Sequence, residues 1–183
     1  GEAWFDGFTI ADLDQPPRLR IPPLPATPTL DGDVRDAAWQ GAAVVDGFLA
    51  LGGQGESPSQ DTRVRLGVSG GTLWLAWECA ESRLAEQTLS DPPGWGDDTV
   101  EVFLCEPGQQ AVHHLGVTPA GGRLAQGLEG DAGVALNVDW FSTKVTADHP
   151  AVPELPPYAC AARRDAGRWT AEMAIDLHGR GEA

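Results

Sequence analysis

Trp95 stands between two glycines in PPGWGDDTVEVFL, residues 92–104. Those glycines free the backbone but offer the indole nothing to pack against. A tryptophan so placed is either a plug over the end of a core or a flat apolar surface open to a ligand. Aromatic faces suit the C–H face of a sugar ring and tolerate water at their edge. Glu101, on the strand that follows, could accept hydrogen bonds from sugar hydroxyls. Glu172 alternates with Trp169, Ala171, Met173 and Ile175, so it is read as facing outward, a third binding candidate. Trp140, in DWFS, is a second aromatic candidate, better suited to a core.

Other chemistries fit less well. A glycosidase needs two carboxyls roughly 5–10 Å apart across a cleft. Asp97, Asp98, Glu101 and Glu172 supply carboxyls, but a small sandwich offers no evident deep cleft, so catalysis is not expected. GVSGG, residues 67–71, matches a serine-hydrolase pattern that means something only between a strand and a helix. The segment after it, TLWLAWEC, alternates as a strand, which makes Ser69 a turn residue. His113 and His114 are adjacent and would point to opposite faces of a strand. With His149 and His178 they form no ligand spacing. Asp31, Asp33 and Asp36 resemble part of a calcium loop without its remaining oxygens. Asp31, Asp33, Asp97 and Asp98 are weak metal candidates; a structural calcium is admitted and no other cofactor is expected.

The elements that must position these residues are short strands. Residues 62–68 and 72–79 alternate on either side of a Gly-rich turn and predict a β-hairpin. Residues 99–105 place Val100, Val102 and Leu104 inward, with Thr99, Glu101, Phe103 and Cys105 on the other face. Residues 111–117, 122–128 and 134–140 are further strand candidates, and 158–164 with 167–176 form a second hairpin. Asp33 is placed to cap a short helix over 34–40, with Asp36 as its capping-box partner and Trp39 aimed into a core. The expected fold is an all-β antiparallel sandwich of jelly-roll or Greek-key type with that one short helix.

The chain has 183 residues, enough for one main domain. The proline-rich run QPPRLRIPPLPATP reads as a linker or a surface-hugging arm. Residues 1–25 are therefore taken as the last strand of an upstream module plus a linker, and 26–183 as the sandwich. The chain carries 12 basic and 27 acidic residues, net −15. No basic footprint for nucleic acid or anionic membrane is present. No apolar stretch approaches the roughly 18 residues of a membrane span. Cys79, Cys105 and Cys160 fit no zinc spacing and read as small buried hydrophobes, with one inter-strand bridge left open. The chain begins at Gly1 without a signal peptide or initiator Met and is expected to be a piece of a longer protein.

The segments TLDGDVRDAAWQGA, TRVRLGVSGGTLWLAWECAESR, WGDDTVEVFL, HHLGVTPAGG and GRWTAEMAIDL occur in the order found in carbohydrate-binding module family 9 and its wider relatives. The chain resembles that family over residues 28–177. The resemblance implies a non-catalytic β-sandwich that binds oligo- or polysaccharide, flanked by other domains of an extracellular or cell-surface glycan-active protein. Trp95 then resembles the family's platform tryptophan, and Glu101 its sugar-binding glutamate. Structural calcium in some members would fall on acidic turns. The chain departs from the family near Gly116, where a ligand-contacting arginine is expected. It also ends at AIDLHGRGEA, before the segment that carries a second clamping tryptophan. A structural or interaction sandwich without glycan affinity is the alternative, and a hydrolase a lesser one.

Overall fold

The computed structural model describes residues 4–5, 8–9, 18–50, 56–87, 89–105, 111–129 and 156–177. Among the described residues are ten strands: β1 Trp4–Phe5, β2 Phe8–Thr9, β3 Ala43–Val45, β4 Thr62–Ser69, β5 Thr72–Ala80, β6 Val100–Cys105, β7 Ala111–Val117, β8 Arg123–Glu129, β9 Tyr158–Asp165 and β10 Arg168–Asp176. The first two form a separate two-stranded pair. The others form a five-stranded sheet in the order β3-β4-β5-β10-β9 and a three-stranded sheet β6-β7-β8. All named strand pairs are antiparallel. The expected antiparallel β-sandwich is what the chain forms.

Both expected hairpins occur. Gly70 and Gly71 take φ of +59° and +74° between β4 and β5, the left-handed pair that a tight hairpin turn demands. Gly167 (φ +74°) turns β9 into β10. Period-2 alternation sends Leu73, Leu75 and Trp77 of β5 and Trp169, Ala171, Met173 and Ile175 of β10 into one core, where they meet Val100, Leu115 and Val117 of the smaller sheet. Tyr158 of β9 spans that core. Its hydroxyl lies 2.8 Å from Leu124 O and 3.3 Å from Gly116 O, which ties the two sheets together.

The opposite face of the larger sheet is also covered. Leu24, Val34 and Trp39 pack on Trp74 and Ala76 as a second apolar cluster. Leu24 lies directly over Gly67, where a Cβ would overlap its side chain. Its N–H donates to Val68 O at 2.8 Å, and Val68 N–H to Pro22 O at 3.0 Å. Residues 21–25, expected within a linker, therefore hug the sheet as an arm. The helix expected over 34–40 is a single 3-10 turn, Ala37–Trp39, capped by Asp36 rather than Asp33. Asp36 reaches both Ala38 N at 2.9 Å and Thr29 N at 3.1 Å, which fixes the turn one residue before Ala37.

Cys79 and Cys160 are free thiols, and burial first of all pushes the Cys79 thiol up to about 12. The side chain of Cys105, the strand expected over 134–140, Trp140, His149 and His178 lie outside the described residues. Among the described residues no helix is long and apolar enough to cross a membrane.

Candidate functional site: an aromatic stack on the three-stranded sheet

The register of the smaller sheet builds the site. Phe103 of β6 lies opposite His114 of β7, and Glu101 opposite Gly116. His114 in turn lies opposite Gln126 of β8. Strand alternation puts these side chains on the face away from the core. His114 is nevertheless buried, because aromatic rings cover it. Phe103 stacks on it at 4.2 Å between ring centroids, with planes 16° apart. Trp95 stacks on it at 3.8 Å and 21°. Phe103 remains 39% exposed and Trp95 is partly exposed.

The loop that delivers Trp95 is held at several points. Asp97 accepts from Ser90 N at 3.0 Å, Ser90 Oγ at 2.9 Å and Gly94 N at 3.0 Å. These hydrogen bonds hold its carboxyl below the usual range, Gly94 N contributing most. Two glycines receive the loop. A Cβ on Gly122 would overlap Pro93, and one on Gly116 would lie 2.9 Å from Cζ3 of Trp95. The space above Gly116, where the family resemblance expects an arginine, is thus taken by the indole itself.

A chain of hydrogen bonds runs beneath the stack. Gln126 Nε2 lies 2.8 Å from His114 Nδ1, and His114 Nε2 lies 3.0 Å from Glu101 Oε2. With Gln126 donating, Nδ1 is the acceptor and Nε2–H donates to Glu101. Thr99 Oγ1 donates to Glu101 Oε1 at 2.7 Å. Burial raises the Glu101 carboxyl, but the His114 and Thr99 hydrogen bonds outweigh it and hold the group below its usual 4.5. Each carboxylate oxygen keeps acceptor capacity. The arrangement offers apolar ring surface beside an ionised acceptor and an amide.

Glu172 does not join Glu101. It lies on β10 of the other sheet, fully buried, because the arm and the 31–39 turn cover that face. Its Oε2 accepts from Gly32 N at 2.8 Å and Asp31 N at 3.0 Å, and its Oε1 from Trp39 Nε1 at 3.1 Å. Burial raises its carboxyl pKa against those three donors. The outward reading was wrong because the face away from the main core is itself roofed. Gly32, at φ +80°, passes so close to Ala162 that a Cβ would lie 2.9 Å from its carbonyl carbon.

The carboxylates of the acidic turns are engaged by groups of the protein itself. Asp33 is chelated by Arg35 at 2.6 and 2.7 Å and reached by Arg163 at 3.1 Å, and the Arg35 hydrogen bonds first of all hold its carboxyl far below the usual range. Arg163 also pairs with Asp31 at 3.4 Å. Asp97 is used by its loop, and Asp98 accepts from Gln87. Among the described residues no group of three or more His, Cys, Asp or Glu is placed to hold a metal.

Sequence reasoning missed His114, Phe103 and Gln126. The pair His113-His114 was weighed only as a metal site, although alternation already separated a core-facing histidine from an outward one.

No protein-family model matches the chain, and no curated protein is significantly similar to it. Solved structures are similar in fold. A carbohydrate-binding module family 9 (CBM9) protein from Caldicellulosiruptor kristjanssonii, in complex with cellotriose, superposes with a TM-score of 0.56 at 15% identity, over 87% of this chain and 68% of that one. Its complex with glucose gives 0.54 at 16% identity, over 89% and 71%. A candidate carbohydrate-binding protein from Bacteroides uniformis gives 0.55 at 14% identity, over 87% and 72%. The chain is thus a β-sandwich of the architecture seen in these proteins.

Proposed function

We propose that the chain is a non-catalytic carbohydrate-binding module that holds an oligo- or polysaccharide on the outer face of its three-stranded sheet. The observation that carries this reading is Trp95, stacked on His114 and still partly exposed, beside the ionised Glu101. Sugar rings stack on the aromatic surface and donate hydroxyls to Glu101. The solved structures of like fold support it, since two of them hold cellotriose and glucose. Affinity is modest, because few contacts leave little surplus over the costs of association. Glu101 and Glu172, one of the carboxyl pairings weighed for hydrolysis, lie on different sheets. Residence in an extracellular or surface protein with further domains rests on the resemblance of the five sequence segments.

A second reading has its own observation. Trp95 presses on Gly116 as a packing residue would, which suits a structural or interaction sandwich. Binding of soluble glycans by the wild type and Trp95→Ala, each checked for folding, separates the two. Loss of binding in a folded variant supports the sugar site. Unfolding, with no glycan bound by the wild type, supports packing alone.

A further inference from the structure

A cleft of ≈ 440 Å³ opens at the edge of β6 and shares Glu101 with the aromatic stack. Its walls include Phe48, Gln60, Arg83, Asp98 and Thr99. Phe48 follows β3 on a loop and is 41% exposed, an aromatic surface open to solvent. Glu101 therefore borders both the Trp95–His114–Phe103 stack on its own sheet and a cleft that Phe48 also lines.

The polar groups of the cleft have spare capacity. The carboxylate of Glu101 accepts one hydrogen bond on each oxygen, from Thr99 and His114, and retains a lone pair on each. Arg83 is exposed, and among the described residues its guanidinium makes no ion pair or hydrogen bond. Gln60 donates to Ser82 Oγ at 2.8 Å and keeps its carbonyl oxygen for a donor. Hydroxyl groups both donate and accept, so a lining that mixes free donors with free acceptors matches a polyol rather than an apolar ligand.

Charge narrows the class. Glu81, Asp98 and Glu101 line the cleft against a single cation, Arg83, on a chain of net charge −15. A uronic-acid or sulfated glycan would bring like charge into that concavity, where the protein field is focused.

We propose that this cleft is a second sugar subsite, continuous through Glu101 with the Trp95 surface, in which Phe48 stacks a further residue of an uncharged glycan chain. The proposal rests on the sugar-binding reading above and extends it to chain length and charge. Binding energy is then gained with each sugar that reaches the cleft, while a monosaccharide is held at the Trp95 stack alone.

The test uses neutral gluco-, galacto-, manno- and xylo-oligosaccharides of one to six units, with uronic-acid oligomers beside them, on wild type, Phe48→Ala, Phe48→Tyr and Trp95→Ala. The wild type should bind a neutral series about tenfold more tightly as trisaccharide than as monosaccharide, the gain of one stacked ring. Phe48→Ala should erase that gain and leave monosaccharide affinity unchanged, and Phe48→Tyr should restore it. Uronic-acid oligomers should bind at least tenfold more weakly than neutral ones of equal length. Affinity independent of length, or unchanged in Phe48→Ala, with Trp95→Ala still inactive, overturns the subsite and leaves the sugar site standing. Equal binding of uronic-acid oligomers overturns the charge assignment. Absence of binding to every glycan overturns both the subsite and the reading beneath it.

Discussion

The indole of Trp95 lies 3.8 Å from the imidazole of His114, with the planes 21° apart. One face of the ring is thereby committed to the protein, so the tryptophan is held in a fixed orientation while part of it stays in contact with solvent. His114 is the support for both halves of the candidate site, since the same imidazole orients Glu101. His114→Ala should cost about 1–2 kcal/mol in stability, from the lost stacking and hydrogen bonds. Urea unfolding measures that loss, and glycan affinity should fall with it.

Gly116 carries a sharper expectation. Gly116→Ala adds a methyl 2.9 Å from Cζ3 of Trp95. The strand can keep its backbone, so the loop must move. Overpacking of this kind costs on the order of 1 kcal/mol when the neighbour can shift. Glycan affinity should drop severalfold, the tryptophan emission should change, and the unfolding midpoint should fall by the small shift that this cost implies.

Glu172 should behave as a structural residue. Glu172→Ala leaves two backbone N–H groups and the Trp39 indole N–H without their acceptor. A loss of about 3 kcal/mol is expected from removing a buried charged acceptor. Where the variant still folds, glycan titration should return the wild-type affinity. Weakened binding in a folded Glu172→Ala protein would put the residue back in the site.

Glu101 sets the acid side of the pH dependence. Its folded-state pKa lies below the ordinary value of 4.5, so its ionised form stabilises the fold above that value. The contribution is lost as pH falls through 4.5 and then through the folded-state value. Glu101→Gln should remove this component, so the stability difference between wild type and variant should shrink as the pH is lowered. Chemical unfolding from neutral pH to pH 3 reads it directly.

The hairpins were legible in the sequence because glycines with positive φ punctuate period-2 runs, as at Gly70-Gly71 and Gly167. The inward set of β5 and β10 followed from the same alternation. Pairing of those two strands at the centre of the larger sheet was not legible, because β5 and β10 meet across about half of the chain. That gap explains the error at Glu172. Alternation tells which residues share a face but not whether a distant segment roofs it, and here Leu24, Val34 and Trp39 do so. Trp95 and Glu101 could be singled out from their loop and strand. Their connection through His114 depends on the β6–β7 register, which no local pattern encodes. The short helix shrank to a 3-10 turn because Asp36 caps the Ala38 N–H and leaves only Ala37–Trp39 to turn.

The most direct measurement is the pair of glycan affinity and unfolding free energy for Trp95→Ala against wild type. A sugar platform gives a wild type that binds a neutral glycan and a variant that stays folded, loses about 1–2 kcal/mol of stability and binds at least tenfold more weakly. A wild type that binds no glycan, with a variant that fails to fold, would contradict it and leave Trp95 as a plug in the wall of the sandwich.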